Sequence, residues 1–154
     1  MSKSNLHETI GFLGVVASLI FVGAEIRQNT TVARGQARQA LAEINDDWLS
    51  HLTTDVVYSD LWYRAWEVEG DVAEGEVYRA GMMMTQFVRR LENVYFQYKE
   101  GLVDETALRS YGLQNFEALF EFPRFQEWWI DGGWRSGFHP DFVAFVEARA
   151  SSGD

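Results

Sequence analysis

The stretch whose reading decides the fold is "RRLENVYFQYKEG", residues Arg89 to Gly101. Its middle, Glu92 to Gln97, reads like the recognition sequence of a tag-removing protease, so the first choice is between an appended linker and a piece of fold. Its surroundings favour fold. Val77, Ala80, Met84, Phe87, Leu91, Val94 and Tyr98 recur at alternating spacings of three and four, which puts them on one stripe of a long helix. Gly101 comes next in the same register, and glycine is the residue that most readily ends a helix in the left-handed conformation. Leu102 is placed to pack back in a Schellman ending, and Val103 and Leu108 bracket Asp104 as a hydrophobic staple around a new N-cap.

Working outward, the pattern is helical almost throughout. Asp71 is the expected cap of the central helix, with Glu74 three residues later completing a capping box. Before it, Val57, Leu61 and Ala65 with Tyr58, Trp62 and Trp66 form an apolar face that Gly70 closes. After it, Leu108, Tyr111, Phe116, Leu119 and Phe120 mark a fourth helix. Pro123 opens a fifth, "PRFQEWWID", which stops at Gly132 and Gly133, and a last helix starts at Pro140 and buries Phe142, Val143 and Val146. No internal repeat or low-complexity tract interrupts the series.

Ahead of all this, Ile10 to Ala24 ("IGFLGVVASLIFVGA") runs fifteen residues without a charge, and eighteen from Thr9 to Ile26 if Glu25 is tolerated. That length suffices for a membrane span if Glu25 reaches the headgroups. Two alternatives stand beside it: a buried core helix, and a signal peptide cut after Val22-Gly23-Ala24. Gly11, Gly14 and Ser18 form a small-residue face that another helix can approach closely in lipid. Arg27, Arg34 and Arg38 follow the segment and only Lys3 precedes it, which places the C-terminal domain in the cytoplasm. Ala37, Leu41, Ile44, Trp48 and Leu52 keep the helical spacing, so the first helix runs on to about Ser50. The expected organisation is all-α: a single transmembrane anchor over 1–28, a compact bundle of about five further helices over 29–150, and a disordered tail over 151–154.

Composition narrows the function classes. With 13 Lys and Arg against 23 Asp and Glu, the 154-residue chain carries a net charge of -10, so its average field repels nucleic acid. There is no cysteine and there are three histidines, without the Glu-x-x-His or His-Glu-x-x-His spacing of a metal site. No phosphate loop or nucleophile elbow is present, and no cofactor is expected. His139-Pro140-Asp141 matches the tripeptide of J-domain co-chaperones, but the basic helix that precedes it there is missing, and a cap with Pro at N1 explains it.

Two sets of residues remain as site candidates. Arg89, Glu92, Asn93 and Gln97 lie off the apolar stripe of the central helix and form either a polar pocket, a solvated face, or a network beneath a neighbouring helix. Phe96 sits beside the stripe, and Trp128 and Trp129 are adjacent, so they cannot share one narrow core stripe; they are expected to leave an aromatic contact surface unless a second helix covers them.

The order of segments resembles a widespread group of small, uncharacterised bacterial proteins. The matching strings are "EIRQNT" at Glu25 to Thr30, "LENVYFQYKEGLVD" at Leu91 to Asp104, the Trp128-Trp129 pair, and Pro140-Asp141-Phe142. The resemblance implies a membrane anchor and an all-helical domain, and carries no activity. The resulting expectation is a non-enzymatic, single-pass protein of a bacterial inner membrane. It would be an accessory subunit of a respiratory or photosynthetic type of complex, meeting lipid and another membrane protein or a second copy through its N-terminal helix. The alternative is a membrane-tethered, ligand-sensing bundle.

Overall fold

The computed structural model describes residues 3–68 and 70–152, and side chains from residue 11 to 68 and 70 to 151. Every regular element among the described residues is helical. The chain divides into one unit up to Gln36 and a second from Ala37.

The first unit is formed by α1, which runs from Lys3 to Thr54 and continues into the second unit. Phe12, Leu13, Leu19, Ile20, Phe21 and Ile26 are all exposed, Phe12 and Ile20 at 69%, and none of the most apolar window is buried. The core-helix alternative therefore does not hold. The helix is long and apolar enough to cross a membrane. Its hydroxyls bond back along the helix: Ser18 Oγ donates to the Gly14 carbonyl at 2.9 Å, Thr30 Oγ1 to Ile26 at 2.9 Å, and Thr31 Oγ1 to Arg27 at 3.0 Å. Side chains satisfied in this way need no water.

In the second unit, the later turns of α1 bury Leu41 and pack Ala37, Trp48 and Leu52 against the core, while Ile44 stays exposed. Asp55 caps α2 (Val56–Trp62), its carboxylate accepting from the Val57 and Tyr58 amides at 3.0 Å. α2 leads into a π-helical turn, Tyr63–Glu67, that buries Ala65 and Trp66.

α3 (Glu74–Lys99) is the central helix. Its buried face carries Ala80, Met83, Met84, Phe87, Val88, Leu91, Val94 and Tyr95; Val77, counted into the stripe from its spacing, is 57% exposed instead. The start differs from expectation. The N-cap is Ala73, and Glu76 rather than Glu74 reaches back to the Ala73 amide, at 3.3 Å. The cause is tertiary: Arg64 holds Glu76 through both guanidinium nitrogens at 3.1 Å and donates to the Asp71 carbonyl at 2.7 Å, fixing the approach. The end is the expected Schellman motif, with Gly101 at φ 70°, Leu102 N donating to Gln97 O and Gly101 N to Tyr98 O, both at 2.9 Å.

Asp104 caps α4 (Glu105–Leu108) by accepting from the Ala107 amide at 2.9 Å, and Val103 and Leu108 are both buried around it. The fourth helix expected over this region is broken. A π-helical segment, Arg109–Leu113, precedes α5 (Gln114–Leu119), and Gly112 sits in it at φ 137°, a backbone that only glycine adopts without strain.

Pro123 opens α6 (Pro123–Gln126), which continues as a π turn over Glu127–Asp131 and, after Gly133 at φ 71°, a 3₁₀ turn over Trp134–Gly137. α7 runs from Pro140 to Ser152 with Phe142 and Val146 fully buried. Ser151 and Ser152, assigned above to a tail, are thus helical; residues 153 and 154 lie outside the described residues.

Aromatic rings fill the core at the junction of α5, α6 and α7. Trp129, 0% exposed, lies 5.5 Å from Phe116 and 5.5 Å from Phe138 between ring centres, and Phe116 is 5.4 Å from Phe125 edge-on. Each such pair adds roughly 0.5–1.5 kcal/mol to the burial of the rings themselves.

Candidate functional site

Glu92 on α3 is 6% exposed and fully engaged. One carboxylate oxygen accepts from Arg89 Nη1 and the other from the His139 backbone N–H, at 2.6 Å. Arg89 Nη2 donates to the Gly137 carbonyl at 2.9 Å, and its guanidinium carbon lies 4.5 Å from the centre of the Phe138 ring. Together they grip the turn that leads into α7. One helical turn on, Tyr95 and Lys99 hold Asp141 at the start of α7: the tyrosine hydroxyl donates to its carbonyl at 3.2 Å, and the Lys99 ammonium to its carboxylate at 2.9 Å. That bond raises the Lys99 pKa and lowers that of Asp141. Gln97 is half-buried and donates to the exposed Asn93 at 3.0 Å. None of Arg89, Glu92, Asn93 or Gln97 lines the cavity between α2, α3 and α6. Of the three alternatives for this polar set, the network beneath a neighbouring helix describes Arg89 and Glu92, while Asn93 stands on the solvated face with Gln97 bonded to it.

The aromatic candidates are core rather than surface. Trp128 and Trp129 are both buried, and Phe96 is half-covered, packing edge-on against Tyr95 at 5.2 Å and His139 at 5.1 Å. The adjacent tryptophans reach two different clusters. Trp129 faces α5 and α7 and donates from Nε1 to Glu147 at 2.9 Å, whereas Trp128 turns toward Trp66, Trp134 and Gly81.

That second cluster borders a cavity of about 490 Å³, which spacing along the sequence gives no sign of. Its walls come from the π turn after α2 (Ala65, Trp66), the start of α3 (Val77, Ala80), the α6 segment (Arg124, Glu127, Trp128, Asp131) and Trp134. Trp66 and Trp128 meet at 72° with ring centres 6.1 Å apart, and Trp134 stacks on Trp128 at 20° and 5.7 Å. Two glycines seat these rings. A Cβ at Gly81 would come within 3.2 Å of Trp128 Nε1 and 3.3 Å of Trp134 Cζ2, and one at Gly132 within 2.9 Å of Trp134 Cδ1. Arg124 donates to the carbonyls of Arg64, Ala65 and Gly70 at 3.1, 3.0 and 2.8 Å, closing the end of the α2 segment. Glu127 and Asp131 are exposed at the rim. The indole N–H groups of Trp66 and Trp128 are buried without an acceptor among the described residues.

A further polar group lies under α1. Arg90 is 8% exposed and has no carboxylate partner among the described residues; Nη1 donates to Asn45 at 3.0 Å, and the guanidinium carbon lies 4.2 Å from the Trp48 ring centre and 5.1 Å from that of Phe87. Burial pulls its pKa down to about 10, which leaves it charged at neutral pH. Tyr58 is raised by burial against the opposing pull of Trp48 and Arg90.

In the first unit, Gly11, Gly14 and Ser18 share the exposed helix, and a Cβ built at either glycine would meet nothing within 4 Å. No family model, curated protein or solved structure matches the chain.

Proposed function

We propose that this is a single-pass membrane protein of a bacterial inner membrane whose second unit works by protein contact rather than catalysis, as an accessory subunit of a membrane assembly. The observation that supports it is the exposed apolar run of α1, from Phe12 to Ile26. Such a run is unstable in water, and the eighteen residues from Thr9 to Ile26 at 1.5 Å each give about 27 Å, close to the roughly 30 Å of a bilayer's hydrocarbon core. Back-bonded Ser18 suits that interior. Arg27, Arg34 and Arg38 after the segment favour a cytoplasmic second unit.

The glycine face of Gly11 and Gly14 supports a helix partner in lipid, either another membrane protein or a second copy. In the second unit the exposed Val56, Val57, Tyr63 and Tyr78 replace Trp128 and Trp129 as contact residues. A photo-cross-linking residue at Gly14, activated in native membranes, tests the reading. One discrete adduct is expected, lost when residues 10–24 become polyleucine although the protein stays in the membrane. Absence of an adduct, or an adduct indifferent to the polyleucine exchange, contradicts it.

Ligand sensing is the second reading, and the tryptophan-lined cavity favours it. Its site then lies between α2, α3 and α6 rather than at Glu92, Asn93 and Gln97.

A further inference from the structure

We propose that the Nε–Nη2 edge of Arg90 binds a small planar monovalent oxyanion, of the formate, bicarbonate or nitrate class, inside the second unit. The proposal rests neither on the membrane anchor nor on the tryptophan-lined cavity.

Arg90 is 8% exposed, and of its guanidinium nitrogens Nη1 alone makes a hydrogen bond among the described residues, to Asn45 at 3.0 Å. Nε is buried with no acceptor. In a guanidinium, the Nε–H and one N–H of Nη2 point the same way and form the fork that grips two oxygens of one planar anion. No protein oxygen among the described residues occupies that fork. The Trp48 and Phe87 rings, centred 4.2 and 5.1 Å from the guanidinium carbon, offset part of the charge. They do not supply the acceptor that a buried N–H requires.

The surroundings select the ligand. The buried polar atoms that lack a partner around Arg90 are donors as well: the indole N–H of Trp48, on whose ring the guanidinium sits, and the hydroxyl of Tyr58, which burial keeps protonated in the field of Arg90. A water molecule could accept from one of these groups but would leave the buried charge unbalanced, whereas an anion meets both needs. The ligand must also be small. Gly112, at φ 137°, is a backbone position that requires glycine, and a Cβ built there would lie 3.6 Å from Arg90 Nη2 and 3.5 Å from Phe87 Cζ. Glycine therefore leaves space for about a methyl group beside the fork, enough for a triatomic or tetraatomic ion and too little for an aromatic acid.

Titration of the full chain in maltoside micelles with isotope-labelled formate, at fixed ionic strength with sodium fluoride as the replaced salt, tests the proposal by NMR line width and by thermal unfolding. Formate should bind saturably, nitrate should displace it and benzoate should not. The unfolding midpoint should rise with the logarithm of formate concentration, as it does for any ligand of the folded state alone. Arg90→Met fills the same volume without the donors, and with its near-ultraviolet circular dichroism retained it should lose both responses. Arg90→Lys keeps the charge but not the fork, and should bind formate at least about tenfold more weakly. No saturable binding of formate or nitrate by the parent, displacement of formate by benzoate, a formate response equal in the parent and Arg90→Met, or an affinity unchanged in Arg90→Lys would each overturn the proposal. Because the anion is read directly, failure here leaves the anchor and its partner untouched.

Discussion

The Glu92 carboxylate on α3 accepts the backbone N–H of His139 at 2.6 Å, across 47 positions of sequence. Replacing Glu92 with Leu leaves that part-buried amide without its acceptor, whereas Arg89, which is exposed, keeps its bond to the Gly137 carbonyl. An unsatisfied buried donor costs roughly 1–3 kcal/mol. Urea unfolding of Glu92→Leu should show a loss of that order, with Glu92→Gln intermediate because its amide oxygen still accepts. A Leu variant as stable as the parent would mean that the bond does not hold the α7 turn.

Arg90 presents the opposite case, a buried charge with no acid beside it among the described residues. A shape-matched apolar replacement removes the desolvation penalty and keeps the contact with Trp48 and Phe87. Lysine keeps the charge but loses the planar stack and is more strongly hydrated. The expected order of urea midpoints is Arg90→Met at or above the parent, and Arg90→Lys lowest. The reverse order would point to an acidic partner.

Acid sensitivity should arise at Glu76 as well as at Asp141, whose pKa Lys99 also lowers. The Glu76 pKa is lowered from 4.5, first by the hydrogen bonds from Arg64 and then by the Ala73 amide. A carboxylate whose folded pKa is depressed stabilises the protein above its unfolded value and gives that up as pH falls through the folded one. Parent stability should therefore drop below about pH 4.5, and Glu76→Gln should start lower at pH 7 and decline less, so that the two curves converge in acid. Parallel curves across that range would contradict the linkage.

The protease-like string is helix, with Leu91, Val94 and Tyr95 buried. The protease needs an extended strand, so the native chain should stay whole at the bond between Gln97 and Tyr98 during an incubation that cuts an exposed tag completely. Cleavage there at a comparable rate would contradict the assignment of α3.

The features legible in the sequence were those set by neighbours in the chain. The Gly101 ending, the Asp104 cap, and Pro123 and Pro140 at helix starts are each decided within a few residues, and each stands where its local signal placed it. What failed depends on partners far away. The start of α3 shifted because Arg64 engages Glu76. Trp128 and Trp129 are both buried because their segment is a π turn, in which successive residues turn through a smaller angle than in an α-helix, and because separate clusters lie on its two sides. Glu92 looked like a site residue because a polar side chain beside an apolar stripe has the same spacing whether it meets ligand or backbone. The cavity had no signature, since its walls come from four separate stretches of chain.

The anchor is the claim on which the functional reading depends, and alkaline carbonate extraction of membranes from cells making the full chain tests it most directly. The protein should remain in the pellet after carbonate, leave it only in detergent, and have the mass of a chain that retains residues 10–24. Release into the carbonate supernatant, or a mature chain beginning after Ala24, would contradict the account.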